Sequence, residues 1–252
     1  TPITIAADLA AAKGFLVINS AGNSGNDPWR YITAPSDGDS VLCVGAVDSS
    51  GLVVGFSSRG PSSDGEVKPN VCAQGSAVAG VNVFENIVKI NGTSFSCPII
   101  AGMAACLWQA FPDKSNMEIF YAIEKSAHLY AKPNNDYGYG IPNFYLANLY
   151  LLDEKLAELY LINQNVGENE LVIIPNPVSE SFHFILKNED LESIYNVKIY
   201  NFKGELMKSQ GFIKNEDLNV YFFEDISSLS SGSYFLSIKT RNGRFQSKFI
   251  KK

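Results

Sequence analysis

The segment Asn91-Gly92-Thr93-Ser94-Phe95-Ser96-Cys97-Pro98 runs straight into a stretch of small and apolar residues that ends at Phe111 and includes Ala101, Gly102, Ala104 and Ala105. That composition predicts a helix over residues 94–111 able to pack closely against its neighbours. A serine on a glycine-containing turn at a helix N-terminus is exposed, and the helix dipole there favours developing negative charge. Taken alone, the segment is equally an ordinary helix start with Thr93 or Ser94 as N-cap. On this reading Pro98 is close enough to the helix start to cost no backbone hydrogen bond.

Working outward, the first part of the chain alternates helical and buried-strand patterns. Ile5–Lys13 is Ala-rich and helical, with Gly14 at the C-terminal cap and Phe15-Leu16-Val17-Ile18 following as a short apolar strand. Val41–Val47 is a second buried strand. Ser115 and Glu118 form a capping box that opens another helix, with Met117, Phe120, Tyr121 and Ile123 on its apolar side. Strands alternating with helices predict an α/β layered domain around a mainly parallel sheet.

Three more segments stand in order with the first. Ser20-Ala21-Gly22-Asn23-Ser24-Gly25 follows a buried strand, so it emerges at the carboxyl edge of the sheet, where α/β folds place ligands. Val44-Gly45-Ala46-Val47-Asp48-Ser49-Ser50 and Phe56-Ser57-Ser58-Arg59-Gly60-Pro61 complete the series. In this order and at about this spacing the sequence resembles the subtilases, the subtilisin-like serine proteases. Tyr137-Gly138-Tyr139-Gly140-Ile141 is similar to their YGxG segment, which extends the resemblance over roughly residues 5–150. The resemblance implies a subtilisin-like layered α/β domain, incomplete in this chain, that hydrolyses peptide bonds in protein or peptide substrates. It implies Ser94 as nucleophile, with the Asn23 side chain and the Ser94 backbone N–H as oxyanion donors. It also implies Ser20, Ala21 and Gly22 as a wall of the pocket for the residue preceding the scissile bond, small enough to leave room and carrying no charge. For Asn23 alone, a turn residue in a left-handed conformation is the plainer reading.

In the family the triad runs Asp, His, Ser, and the first two precede the SAGN segment. The expectation is that this chain is a piece starting too late to include them, and by itself close to inactive. The rival reading is a catalytically inactive subtilase fold kept as a surface binding or structural module. The two histidines do not fill the gap: His128 is expected as a cation at a helix end and His183 on a solvated strand face. The family's Pro-Asp-Val and its His after the nucleophile stand here as Pro69-Asn70-Val71 and Ile99, neither position taking part in bond chemistry. Catalysis implies no cofactor. Structural calcium occurs in many subtilases, but Asp64, Glu66 and Asp136 read as solvated loop charges. Cys43, Cys72, Cys97 and Cys106 read as buried small hydrophobes or as one or two disulfides; no spacing favours pairing.

The chain has 252 residues, 46% of them hydrophobic, with 20 basic and 26 acidic side chains. That excludes disorder, and the acidic balance without a Lys/Arg cluster excludes a nucleic-acid-binding protein. Two distant histidines exclude a multi-His zinc site. No apolar run approaches the roughly 18 residues needed for a transmembrane helix. Residues 1–171 hold 9 bases and 17 acids, a balance of -8, against 11 and 9 over 172–252, a balance of +2. The expected division is a catalytic part over 1–162, a polar linker over 163–171 and a separate domain over 172–252. In that last part Ser181–Leu186, Asn196–Phe202, Asn219–Phe223, Ser233–Thr240 and Phe245–Ile250 alternate apolar and polar residues between Lys203-Gly204, Ser231-Gly232 and Asn242-Gly243 turns, which predicts a small antiparallel β-sandwich. Pro175-Asn176-Pro177, Ser233-Tyr234-Phe235 after Gly232, and the basic end Lys248–Lys252 resemble the C-terminal sorting domain of the type IX secretion system. The resemblance implies recognition by that export machinery and a secreted or outer-surface location.

Overall fold

A computed structural model describes the chain except residues 188–193, 195, 210, 216–217 and 242. The chain forms two compact units, Thr1–Glu154 and Lys155–Lys252.

The first unit opens with α1 (Pro2–Ala12) and β1 (Val17–Ser20). The helix starts earlier than its Ala-rich core because the Thr1 side chain caps it and Pro2 occupies its first turn. The strand starts later than Phe15, since the Phe15 N–H returns to Ala10 O and the Phe15 ring is exposed. There follow β2 (Val41–Val47), β3 (Val71–Gln74), the hairpin of β4 (Val78–Val81) and β5 (Ile87–Ile90), then α2 (Thr93–Ala110), α3 (Asn116–Lys125) and α4 (Phe144–Leu152). Strands β1, β2 and β3 form a parallel sheet in that order, with Val17 opposite Val41 and Val44 opposite Val71. The central β2 is buried along its whole length, and α2 packs across all three strands. A strand covered on both faces is apolar throughout, which is why VLCVGAV shows no alternation. Leu42, Val44, Val71, Ile100, Ala104, Leu107, Ile119 and Ile123 make the core between sheet and helices.

The capping box of α3 forms as expected, the Ser115 hydroxyl accepting from the Glu118 N–H and Glu118 returning to the Ser115 N–H. Its buried face differs from the apolar reading: Tyr121 is exposed, whereas Asn116 and Glu124 are buried beside Ile119, Phe120 and Ile123. Asn116 is held by Ala11 O and Phe15 O, and Glu124 by Asn70, so partners from other elements decide both positions.

The second unit holds α5 (Glu154–Asn165) from Lys155 onward, then β6 (Leu171–Ile174), β7 (Phe182–Leu186), β8 (Asn196–Asn201), β9 (Leu206–Ser209), β10 (Ile213–Asn215), β11 (Val220–Phe223), β12 (Gly232–Thr240) and β13 (Gly243–Lys251). They make two antiparallel four-stranded sheets, β10-β11-β7-β6 and β13-β12-β8-β9, around one core. Phe182 stacks on Phe223 and Phe184 on Tyr221 within it. The polar stretch 163–171 is not a free connection. Residues 163–165 finish α5, where Asn163 Nδ2 donates to Leu218 O, and the strand ladder resumes at Leu171. Leu156 and Leu159 set that helix beside His183, Leu218 and Phe222, so it belongs with the sheets and the division falls at Glu154. The Asn242 half of one expected turn lies outside the described residues.

The PNP start and the basic end meet. Asn176 Oδ1 accepts from the Ile250 N–H and its Nδ2 donates to Lys248 O, while Val178 exchanges backbone bonds with Ile250 and Lys252. Two motifs from opposite ends of the domain therefore close one edge of the sandwich together.

Candidate active site

The carboxyl ends of β1 and β3 and the N-terminus of α2 converge at one edge of the parallel sheet. Beyond β1, Ala21 N–H bonds Val44 O and extends the ladder by one residue, after which Gly22 turns the chain with φ +105°. A Cβ at Gly22 would lie 2.8 Å from Ser58 Oγ and 2.9 Å from Thr33 Oγ1, so glycine is required by both conformation and space. The FSSRGP segment holds this turn: Ser58 N–H donates to Gly22 O, Ser58 Oγ accepts from Ser24 N–H, and Gly25 N–H reaches Phe56 O.

From the other side, β3 leads into Gly75, whose carbonyl accepts from Gly92 N–H. Asn91 Oδ1 accepts from Ala77 N–H at 2.7 Å, which fixes the turn before α2. Neither Thr93 nor Ser94 is the N-cap. That place belongs to Gly92, which has no side chain to cap with, and Thr93 is the first helical residue. The missing cap comes from a distant segment: Asn23 Oδ1 accepts from Thr93 N–H at 2.9 Å and from Thr93 Oγ1 at 3.0 Å. The buried Thr93 hydroxyl also accepts from Gly22 N–H at 3.3 Å, closing a ring between the two loops.

This ring orients Asn23. With Oδ1 committed to Thr93, the carboxamide keeps its Nδ2 as a donor for another partner, and Asn23 is exposed. Ser94, also exposed, is the second helical residue, and its N–H has no acceptor among the described residues, as the first turn of a helix dictates. No acidic residue stands in the first turn of α2, so nothing there offsets the positive end of the helix dipole. The Ser94 hydroxyl and N–H at the start of α2 and the Asn23 carboxamide bound to Thr93 therefore share one corner. Such a corner can receive an oxygen that gains negative charge during acyl transfer.

Because α2 begins at Thr93, Pro98 lies inside the helix rather than at its harmless start. Its ring nitrogen cannot donate to Ser94 O, so the carbonyl of that residue loses its intrahelical partner. Of the expected pocket wall, Ser20 ends β1 half-buried with its carbonyl accepting from Ser36 Oγ, and Gly22 borders Thr33 and Ser58. Ala21 is fully buried, its side chain turned into the core against Ile32 and Cys43 and its backbone bonded to Val44 O and Thr33 N–H, so it does not line an open pocket wall.

The histidines take other parts. His128 Nδ1 accepts from Ile141 N–H at 2.9 Å, which ties its ring to the YGYG loop. His183 is half-buried against Phe222, with burial and then Lys155 pushing its pKa down, and does not stand on a solvated face. The YGYG loop itself lies along β3: Tyr139 N–H donates to Asn70 O, and Gly140 O accepts from Cys72 N–H.

Asn70, where the family pattern has Asp, is buried. Its Oδ1 accepts from Cys43 N–H and the Lys68 ammonium, and its Nδ2 donates to Glu124 Oε1 at 2.6 Å. The fully buried Lys68 also donates to Gly38 O and Val41 O. A carboxamide here joins a buried cation to a buried carboxylate, which a second carboxylate could not do without sharing a proton. Among the loop acids, Asp136 pairs with Arg59 and Asp64 accepts from Ser62 Oγ. All four cysteines are free; Cys43 and Cys72 are buried, Cys97 is half-buried, and Cys106 is exposed, contrary to the buried reading. Burial pushes the Cys43 thiol up to about 12. Thr93 and Ser58 are the positioning residues that motif reading passed over. The only local sign was a threonine beside the candidate serine.

Residues 3–140 match the subtilase family model, and residues 172–252 match that of the secretion system C-terminal sorting domain. The chain is 30% identical over 164 residues to the serine protease AprX of Bacillus subtilis (strain 168), covering 56% of this chain and 37% of that protein. It is 34% identical over 128 residues to subtilisin DY of Bacillus licheniformis, covering 50% and 44%. The chain thus spans less than half the length of these relatives. The solved self-cleaved protease domain of PatA aligns with a TM-score of 0.49 at 25% identity, over 59% of this chain and 54% of that one. Among the described residues no helix is long and apolar enough to cross a membrane.

Proposed function

The chain belongs to the subtilase family of serine proteases and ends in a secretion-system sorting domain, which marks it for export to the cell surface or beyond; on that premise we propose that Ser94 is the nucleophile of an endopeptidase. The observation that supports this best is the Thr93 clamp on Asn23. It commits the carboxamide oxygen and leaves the amide hydrogens beside the free Ser94 N–H. In this reading Ser94 Oγ attacks the peptide carbonyl, a histidine takes its proton, and Asn23 Nδ2 and Ser94 N–H hold the oxyanion. The amine leaves with that proton, and water then hydrolyses the acyl-enzyme.

The base is assigned outside residues 1–252, because His128 is engaged by Ile141 and His183 belongs to the sorting domain. The 252-residue chain alone is accordingly expected to be close to inactive. Oxyanion stabilisation and binding without a working triad leave only about 10³–10⁴ over water. No cofactor takes part in this scheme. Protein or peptide chains are the substrates, and the type IX export machinery is the partner of residues 172–252.

A fluorophosphonate probe applied to the full-length protein tests the assignment. Labelling is expected on the peptide containing Ser94, and Asn23→Ala is expected to lower turnover by about 10²–10³, the magnitude measured for such a donor in a subtilisin. Label on another serine, or none, overturns the proposal and favours an inactive surface module.

A further inference from the structure

We propose that the outer face of the β13-β12-β8-β9 sheet binds a phosphate group. Asn196, Lys198, Tyr200, Ser237, Lys239 and Arg244 surround a surface hollow of about 200 Å³. These residues alternate with Val197, Ile199, Leu236 and Ile238, which point into the core, so all six belong to the face turned away from it. Three cations line the hollow and no acid does. None of the three forms an ion pair among the described residues, whereas Lys208 in the same unit is matched by Asp225.

The strand register makes this arrangement costly when empty. Lys239 stands directly opposite Arg244, and Lys198 stands opposite Ser237, two residues along β12. Like charges directly opposite in an antiparallel pair repel and destabilise it. An anion in the hollow would convert that repulsion into shared attraction. The donors also fit one shape of anion. Two ammonium groups and a guanidinium fork, with the Ser237 and Tyr200 hydroxyls and the Asn196 amide around them, exceed what a two-oxygen carboxylate can engage and suit a tetrahedral oxyanion. Ser237 is buried beneath the cations and forms the floor. The lining carries no aliphatic side chain, so recognition rests on the charged group and not on a lipid tail or an apolar body. Free phosphate and a phosphomonoester lipid headgroup present the same chemistry.

Amide NMR of the 252-residue chain, titrated with inorganic phosphate while chloride holds the ionic strength constant, tests the site. The expected result is saturable shifts centred on Lys198, Ser237, Lys239 and Arg244, with affinity reduced at least about tenfold in the Lys239→Ser/Arg244→Ser double variant. Lys203→Ser, on an exposed turn of the same unit, is expected to bind as the parent does. Both substituted positions of the double variant are exposed, and a dispersed spectrum confirms that it folds. Shifts reproduced by chloride alone, or a double variant that titrates like the parent, overturn the proposal. A second arm uses vesicles of zwitterionic lipid with and without a phosphomonoester lipid. Co-sedimentation competed away by free phosphate assigns a headgroup as the source, and saturable phosphate binding without vesicle binding assigns the free ion.

Discussion

In the first unit Lys68, Asn70 and Glu124 lie buried side by side, joined by directional bonds, while the matching depth of the second unit is filled by Phe182, Phe223 and Phe249. The contrast extends outward from these cores. Loops of the first unit are tied by hydroxyls and amides at Ser57, Ser58, Thr93 and Asn23. Strands of the second are held by ladders and by stacked rings. A site that must place an amide and a hydroxyl against a reacting carbonyl needs positions fixed within fractions of an ångström, which hydrogen bonds specify and packing of similar apolar groups does not. A domain recognised as a shape needs only a stable sandwich. The difference in burial accords with the proposed function of each unit.

The largest expected effect comes from removing a ring of the aromatic core. Phe182→Ala deletes a fully buried side chain stacked on Phe223 at 5.1 Å and is expected to cost about 3–5 kcal/mol. Hydrogen exchange would show protection lost in β7, β11 and β13. Equal loss in β2 and α2 would break the comparison, since the two cores would then be energetically one.

Next comes Lys68→Met, which fills much the same space but removes the ammonium donated to Gly38 O, Val41 O and Asn70 Oδ1 and leaves Glu124 without its cation. A loss of about 3 kcal/mol is expected, read by urea unfolding with a probe in the first unit. A neutral or stabilising outcome would mean that this polar core behaves like an apolar one.

A smaller effect sharpens the same point through pH. Burial holds the Glu124 carboxyl above its ordinary value of 4.5, with the Asn70 hydrogen bond and Lys68 opposing. A carboxyl bound more tightly by its proton in the folded state adds stability that is full below the unfolded pKa and lost as pH rises through the folded one. Glu124→Gln cannot titrate, so the stability of the parent relative to this variant is expected to fall as pH is raised from about 4 to 7. Urea midpoints of the two proteins at several pH values measure it, and parallel curves would refute the burial effect.

The smallest effect concerns the clasp between PNP and the basic end. Asn176→Ala removes two exposed side-chain bonds to β13 and is expected to cost no more than about 1 kcal/mol, seen as faster exchange at Ile250 with the rest of the unit unchanged.

Much of this organisation was legible in residues 1–252 as written. The Ser115–Glu118 box, the fully apolar Val41–Val47 strand and the alternating strands after Leu171 each depend on neighbours a few residues away, and each forms as read. That residues 155–165 pack with the sandwich is not legible in the polar stretch that follows them, because it depends on contacts such as Asn163 with Leu218, 55 positions away. Tyr121 and Cys106 are exposed rather than buried for a related reason. An apolar or titratable side chain shows its type in sequence but not the direction it faces or the group it meets.

The sequence by itself determined the family, the export signal, the α/β and β-sandwich character of the two parts and the short list headed by Ser94 and Asn23, since motifs and periodicity are properties of nearby residues. Only the tertiary structure decided which groups those two residues meet. Thr93 lies 70 positions from Asn23, yet its backbone and hydroxyl both bond the carboxamide oxygen. Asn70, which accepts from Lys68, likewise reaches Glu124 54 positions away. Hydrogen bonds are directional and act over about 3 Å, so which groups they join is settled only when the fold has brought distant segments into contact.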